Sequence, residues 1–385
     1  MKAGTSIVIV SFNSAETIAE CLLSVARTMR PCDEAIVIDN HSQDHTIEII
    51  QGLDLPPKIQ LCPLSHNAGF SKGCNIGIEK TSREFIILLN PDTSVFGDWI
   101  SRLTGHFKYY DRTGAVGPLS NSVIQTQHIL TYLPQYHDYL QRADDLFAKL
   151  SELFGRRSFP TNMLIGFCMA LRRDLVERHG GLDEDIFLGD DDLEISWRLR
   201  EKGFYLRIAL DVFVNHSHHT SFNTLPENVT NKYVQEGSDV LYEKMRSHYA
   251  PDMVPHPLDY FGIGWWEPSV LKQTSEVEAF RPKLTANDYR RVLVTAKNLL
   301  QTQSYEEAVD VLEAALKFYV RDFGIWYTLG SIYMKLREFD QAESALLNAW
   351  ALEFDGDKAK TRLRTLLGHR GQEDKYWELI GSEQT

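Results

Sequence analysis

The chain has 385 residues, 43% of them hydrophobic and 24% charged, which suits a soluble protein of two or three domains with real cores. A net charge of −13 argues against broad nucleic-acid binding, which needs clustered Lys and Arg, and disfavours tight docking on anionic lipid. The five cysteines (Cys21, Cys32, Cys62, Cys74 and Cys168) show no CxxC spacing, so neither a disulfide framework nor a zinc knuckle is indicated and a reducing, cytoplasmic setting is expected.

The apolar run at 6–10 is too short for a signal peptide and reads as the first strand. Ser14 is placed to cap a helix from Ala15-Glu16, in which Ile18, Cys21, Leu22 and Val25 share a face. Residues 34–38 form a second strand ending at Asp39-Asn40, and Asp44 can cap the helix through Ile47, Ile49 and Ile50. A short strand at 58–61 leads to the loop at 67–73 and a helix over 74–80. The five apolar residues 85–89 are a buried strand stopped by Asn90-Pro91-Asp92-Thr93. This alternation predicts a mostly parallel, Rossmann-like α/β sheet with right-handed crossovers. Ser11, Asn13, Asp39, Asn67 and Asp92 lie at or beside strand C-terminal ends, where open α/β sheets bind ligands. Neither GxGxxG after the first strand nor GxxxxGK[ST] anywhere is present. The stretch from Gly69 to Gly73 is either a simple glycine turn or a set of N–H groups offered to a diphosphate.

Further on, 98–110 has the pattern of an amphipathic helix and 115–118 of a strand. Residues 121–157 carry no clear periodicity, as a functional excursion or an unplaced helix would, and could cover an acceptor site. Gly166 to Leu171 reads as a strand, Arg172-Arg173-Asp174 as the start of a helix, and 180–184 as a turn. Asp190, Asp191, Asp192 and Glu194 crowd four carboxylates into five residues. Such a cluster caps a helix, binds cations or does chemistry. At 212–221 an apolar run ends in His216, His218 and His219. A neutral imidazole there suits a metal beside a carboxylate, or is a partly buried ring bonded to backbone. No stretch approaches the roughly 20 apolar residues of a membrane span.

Ser11-Phe12-Asn13, Asp39-Asn40, Asn67-Ala68-Gly69-Phe70 with Asn75, and Asn90-Pro91-Asp92 follow one another in an order and spacing that resembles family 2 glycosyltransferases, with the spelling of the rhamnosyltransferase-like branch. The likeness covers about the first 225 residues. It implies a GT-A fold, a nucleotide-diphosphate-sugar donor, a divalent metal (Mn²⁺ or Mg²⁺) and inversion at the anomeric carbon. Under it Ser11, Phe12, Asn13, Asp39, Asn67, Gly69, Phe70, Lys72, Asn75, Asn90 and Asp92 make the nucleotide-sugar site. Phe12 would flank the base and Asp39 accept its ring N–H. Asp92 would hold the metal from the DxD-type position. Asn90 stands where many members have the first Asp, so a further ligand comes from elsewhere. His216 matches the family's late histidine, with His218 and His219 as rivals. Aligned on Trp197-Arg198, Asp191-Asp192 falls on the family's Glu-Asp pair. That implies Asp192 as general base and Asp191 as acceptor-orienting.

Beyond 225 the text changes. Residues 226–285 are expected to be a linker with a helix near 229–249, and Gly264-Trp265-Trp266-Glu267-Pro268 touches an acceptor or packs between domains. Residues 286–385 are helical and repetitive. Trp326-Tyr327-Thr328-Leu329-Gly330-Ser331-Ile332-Tyr333 fits WxxLGxxY, with Ala342, Leu346 and Ala349 after it. A shift of about 34 residues returns Ala296, Leu299, Ala308, Leu312 and Ala315, and a degenerate third unit follows with Leu363, Leu367 and Ile380, the pattern of tetratricopeptide repeats. Such repeats bind a protein or peptide, or buttress the chain or form a homodimer. The expectation is therefore a GT-A domain (1–225), an extension (226–285) and an all-α tetratricopeptide-type domain (286–385). Together they would glycosylate a protein or peptide acceptor, as in flagellin- or bacteriocin-type modification. A lipid-linked or cell-surface saccharide acceptor, or an inactive scaffold, are the alternatives.

Overall fold

The computed structural model describes residues 2–123, 125–135, 142–217, 226–250, 253–263, 268–269, 284–354 and 356–380. His218, His219 and residues 264–267 of the Trp-Trp segment lie outside this set. The N-terminal part winds β1 (Lys2–Ser11), α1 (Ile18–Thr28), β2 (Glu34–Asp39), α2 (Thr46–Gly52), β3 (Ile59–Pro63), α3 (Phe70–Glu79) and β4 (Arg83–Leu89). It continues through β5 (Thr93–Val95), α4 (Trp99–Tyr109), β6 (Thr113–Ser120), α5 (Ala143–Phe154), β7 (Ser158–Thr161), β8 (Cys168–Arg172), α6 (Arg173–His179), α7 (Asp191–Glu201) and β9 (Tyr205–His216). The sheet order is β3-β2-β1-β4-β8-β6-β9-β5, with β7 also paired to β9. The expected α/β sheet, parallel through its first half, is present.

Ile7, Val8, Ile9 and Val10 are buried, as strands covered on both faces require. Parallel register sets Ser11 beside Asp39 and Ile9 beside Leu89, so β1, β2 and β4 end along one edge. The antiparallel strands then bring distant chain to that edge. Because β8 runs against β4, its first residue Cys168 pairs with Leu89, and the Asn90 N–H donates to the Phe167 carbonyl at 2.9 Å. Because β5 runs against β9, Thr93 faces His216.

Several expected boundaries move. Helix α3 begins at Phe70 rather than 74, because Gly69 (φ 88°) makes the turn and Gly73 and Gly77 lie within the helix. A Cβ on Gly77 would come within 2.4 Å of Val8 Cγ1, so the glycines serve close packing of helix on strand. Ser14 does not cap from Ala15. Helix α1 starts at Ile18, and the Ser14 N–H donates to Thr46 Oγ1 at 2.8 Å. Asp44 is not the cap residue of α2, a position held by His45; it lies one residue earlier and accepts the Thr46 N–H at 3.0 Å and the Ala15 N–H at 3.1 Å. The patternless stretch contains α5, whose Leu146, Phe147 and Leu150 are buried in the main core; α5 does not line the cavity described below, whereas Ser122 and Val123 at the start of the stretch do.

Helices α8 (Glu227–His248) and α9 (Pro257–Tyr260) follow, and then three helical hairpins: α10 (Ala286–Gln301) with α11 (Tyr305–Leu316), α12 (Phe323–Leu336) with α13 (Phe339–Leu352), and α14 (Lys358–His369) with α15 (Glu373–Ile380). Trp326, Leu329 and Tyr333 are buried, and a Cβ on Gly330 would meet Leu346 Cγ at 2.7 Å, which explains the small residue at that helix crossing. No helix among the described residues is long and apolar enough to cross a membrane. All five cysteines are free.

The hairpins are bolted to the sheet by arginines. Arg207 of β9 is fully buried, lies 3.6 Å above the Tyr110 ring, and donates to Ser158 Oγ at 2.9 Å and to Asn348 Oδ1 of α13 at 2.6 Å. Arg157 donates to the Trp350 and Glu353 carbonyls at 2.6 and 2.5 Å, at the C-terminal end of α13 where the helix dipole favours a cation. Arg200 donates to the Tyr260 carbonyl at 3.0 Å and to that of Lys317, and Lys317 pairs with Glu201 at 2.8 Å. Replacing Asn348 with Leu should leave a buried guanidinium N–H without its acceptor and cost about 2–3 kcal/mol. Thermal denaturation should find the double variant Arg207→Met/Asn348→Leu nearer the parent than Asn348→Leu alone, since a paired apolar replacement leaves no stranded charge.

Candidate active site

The turn after β4 supplies Asp92, which is buried at the sheet edge. The β5–β9 pairing sets His216 beside it, with Nε2 3.2 Å from Asp92 Oδ1. The ring is held on every side. Its Nδ1 lies 2.8 Å from the Ser122 carbonyl, its plane stacks on Phe167 at 5.3 Å, and its backbone N–H donates to Asn121 Oδ1 at 2.9 Å. A carbonyl only accepts, so Nδ1 carries the hydrogen. Nε2 therefore meets the carboxylate either as a lone pair, with room for a shared cation, or as the second N–H of an imidazolium.

Across the cavity, α7 opens with Asp191 and Asp192. The preceding Asp190 has φ 61° and does not cap the helix with its side chain, so plain capping does not account for the cluster. Asp191 is buried and Asp192 partly buried, with the Gly166 N–H donating to Asp192 Oδ2 at 2.9 Å. Burial pushes the Asp192 carboxyl up to about 6. Burial, reinforced by the Asp192 charge, raises Asp191 well above the usual carboxylate range.

One cavity of about 490 Å³ joins the two pairs. Of the residues expected to bind a nucleotide sugar, it is lined by Phe12, Asn67, Gly69, Phe70, Asn90 and Asp92, together with Asp191, Asp192 and His216. Ser11 and Asp39 lie beneath it. Asp39 is fully buried and accepts from Ser11 Oγ (3.1 Å), Ser42 Oγ (2.6 Å) and the Ser42 N–H (3.0 Å). Asn13 accepts the Gln43 N–H at 2.7 Å, away from the lining. Lys72 pairs with Glu184 at 3.3 Å, and Asn75 clamps the Leu182 carbonyl and N–H at 2.8 and 2.9 Å. Those two therefore tie α3 to the acceptor-side turn instead of lining the cavity. The 67–70 loop is not an open cradle either. The N–H groups of Ala68, Gly69 and Phe70 donate to Asn40 Oδ1, Asn67 Oδ1 and the Phe187 carbonyl at 2.8–2.9 Å.

The cavity also takes in residues that sequence reasoning passed over: Asn40, Ser122, Val123, Phe167, Phe187 and Val234. Asn40 and Phe167 sit inside motif segments and could have been picked out; Val234 depends on how α8 docks. Asp92, Asp190, Asp191 and Asp192 line the cavity, and none of the described lining residues is Lys or Arg. No group of three His, Cys, Asp or Glu side chains converges as a metal site among the described residues. A larger open groove, about 1000 Å³, runs along α7 and α8, but Arg198 and Lys244 there are paired with Glu194 and Asp183. The two carboxyls that burial pushes up, Asp191 and Asp192, line the smaller cavity.

Residues 6–180 match the family Glycosyl transferase family 2. Among curated proteins the chain is similar to poly-beta-1,6-N-acetyl-D-glucosamine synthase of Staphylococcus epidermidis, 25% identical over 202 residues, 51% of this chain and 45% of that protein. The enzyme of the same name from Staphylococcus aureus strain COL is 24% identical over 204 residues. The match thus spans under half the length of these relatives. Among solved structures, S. aureus TarS 1-349 in complex with UDP-GlcNAc matches with 13% identity over 96% of this chain and 92% of that one, at a TM-score of 0.45. The mannosyltransferase PcManGT from Pyrobaculum calidifontis, with GDP-Man and Mn²⁺, matches with 16% identity over 94% and 87%, at 0.43. The family match thus falls on the stretch from β1 to α6, under half of the chain.

Proposed function

We propose that the protein is an inverting, metal-dependent glycosyltransferase that moves a sugar from a nucleotide-diphosphate sugar to an acceptor hydroxyl or thiol. The observation that carries this reading is the pairing of Asp92–His216 with Asp191–Asp192 across one cavity that has four carboxylates and no Lys or Arg in its described lining. A nucleoside diphosphate brought against those carboxylates needs a cation to be held at all. Octahedral divalent ions bind oxygen at about 2.1 Å, which sets neighbouring ligands about 3 Å apart. The Asp92–His216 separation of 3.2 Å fits that edge. The Nδ1–H bond to Ser122 is the outer-shell contact that orients a ligating imidazole. Asp92 and His216 would hold the ion, which when bound offsets the charge of the departing diphosphate.

In the reaction, Asp192 takes the proton of the acceptor as the acceptor atom bonds to the anomeric carbon. The bond from that carbon to the diphosphate oxygen breaks with its electron pair on the nucleotide. Attack opposite the leaving group inverts the centre. Asp191, whose carboxyl burial and the Asp192 charge push towards the protonated form, would orient the acceptor by a hydrogen bond. Phe12 and Asn40 are within reach of the nucleobase end. Asp39 acts through the Ser42 turn unless that turn opens.

The helical hairpins, read as tetratricopeptide-type repeats, favour a protein or peptide acceptor. A groove of about 810 Å³ between α12 and α14, with Lys335, Lys358 and Arg362 on its walls, gives such a chain a place to lie. A saccharide acceptor is the second reading, suggested by what the curated relatives are named for. Deleting the hairpins would strand Arg157, Arg200 and Arg207, so point charges are the better probe. Lys335→Glu/Arg362→Glu should weaken transfer to a protein acceptor while leaving donor hydrolysis unchanged, and should leave transfer to a saccharide unaltered.

With a panel of nucleotide sugars and Mn²⁺, kcat/KM should rise with pH through about 6, because the base must be ionised. Asp192→Asn should lower it by about 10²–10⁴-fold. Undiminished transfer by that variant would overturn the assignment of the base. The same group has a stability consequence. Its folded-state pKa is raised, so its contribution is full below the unfolded value of about 4 and is lost as pH rises through about 6. In metal-free protein Asp192→Asn should therefore gain up to about 3 kcal/mol over the parent at pH 8 and nothing at pH 4, as read by denaturant titration.

A further inference from the structure

Helix α8 lies outside the residues that match the family, yet one of its faces is pressed against the loop that launches the carboxylate pair. Tyr233, Val234, Gly237 and Ser238 lie at i, i+1, i+4 and i+5, on one side of the helix. Tyr233 packs on Phe187 with ring centroids 4.4 Å apart. Val234 lines the cavity, and its Cγ2 lies 3.1 Å from where a Cβ on Gly189 would stand. A Cβ on Gly237 would sit 2.7 Å from the Gly189 carbonyl oxygen, so only glycine lets the helix come this near.

Ser238 completes the contact. Its hydroxyl, buried in the interface, donates to Asp190 Oδ2. Asp190 is a non-glycine residue in the left-handed region, at φ 61° and ψ 4°, a conformation uncommon for L residues that Asp reaches more readily than most when its side chain is hydrogen-bonded. The next two residues are Asp191 and Asp192. The backbone turn at Asp190 therefore sets where both carboxylates enter the cavity, and the hydrogen bond from Ser238 holds that turn.

We propose that Ser238 is a positioning residue for the transfer reaction, acting through Asp190 to hold the left-handed turn that aims Asp191 and Asp192 at the acceptor. The inference rests on the reading of Asp192 as the base. Phe187 ties the same loop to the donor side, since its carbonyl accepts the Phe70 N–H at 2.9 Å. Helix α8 is thus a splint along the acceptor loop, and the donor side is anchored independently by Asp92 and His216.

The test is a mutant cycle on the full chain, read as kcat and donor KM with a nucleotide sugar and Mn²⁺. Ser238→Ala should lower kcat by about tenfold or more, because small misplacements of a general base are costly. It should leave donor KM unchanged, since the metal and diphosphate ligands lie on other elements. In an Asp190→Gly background, where the left-handed turn no longer needs a side-chain tether, Ser238→Ala should have little further effect. A merely structural serine would instead move KM and kcat together, or lose the same factor in both backgrounds. Either result, or a wild-type kcat for Ser238→Ala, overturns the proposal. Asp192→Asn is measured alongside. If it retains full transfer, the base assignment has failed. If it is inactive while Ser238→Ala is normal, the positioning role has.

Discussion

Carboxylates gathered in a small cavity, with no cationic side chain in its described lining, set the terms for the rest of this structure. Four of them meet in about 490 Å³. Mutual repulsion and lost hydration make that arrangement expensive unless protons or a metal ion relieve it. The chain relieves it in two ways. On the acceptor side, burial drives Asp191 and Asp192 towards the protonated state. Across the cavity, the fixed imidazole of His216 faces Asp92, with Nε2 3.2 Å from Oδ1. Burying the Asp191–Asp192 pair opposes stability while they are ionised, and both pairs are held in place by well-packed surroundings.

The surroundings do this through strand direction. Had β8 run parallel to β4, Gly166-Phe167 would fall at the far edge of the sheet, whereas β9, parallel to β6 and so to β4, ends with His216 at the same edge as β4. Running antiparallel to β4 and β5 respectively, β8 and β9 deliver the Gly166 N–H to Asp192 and His216 to Asp92. The arginines of β9 and its neighbours then fasten the helical hairpins to the outer side of the same strands. The hairpins are thereby held at a fixed bearing to the cavity.

Much of this could be read from the residues, and the omissions have physical causes. The apolar runs of β1, β2 and β4 are strong signals because parallel strands are buried on both faces. Asp92, Asp191, Asp192 and His216 were reachable because each ends a strand or opens a helix. Asp39 was expected to line the cavity, but it is sealed by Ser11 and Ser42, a consequence of register that no single motif carries. Lys72 and Asn75 look like ligands of a phosphate-side helix and are instead clamps on the 180–184 turn, more than 100 residues away. Helix α3 was placed late because Gly69 and Gly73 read as loop, although Gly73 lies in the helix for contact with Val10, as Gly77 does for contact with Val8. Val234 and Ser238 carry no motif, and their roles exist only once α8 has docked.

The account turns on whether Asp92 and His216 bind a divalent ion together with the donor diphosphate. Titration calorimetry with UDP, GDP or dTDP, with Mn²⁺ and after EDTA, tests it directly. The nucleotide that binds should do so at least tenfold more tightly with Mn²⁺, and Mn²⁺ should bind more tightly with that nucleotide by the same factor, since the coupling is reciprocal. Asp92→Asn and His216→Ala should each reduce that coupling sharply. Equal nucleotide affinity with and without metal, or coupling that survives in the double variant, would contradict the account.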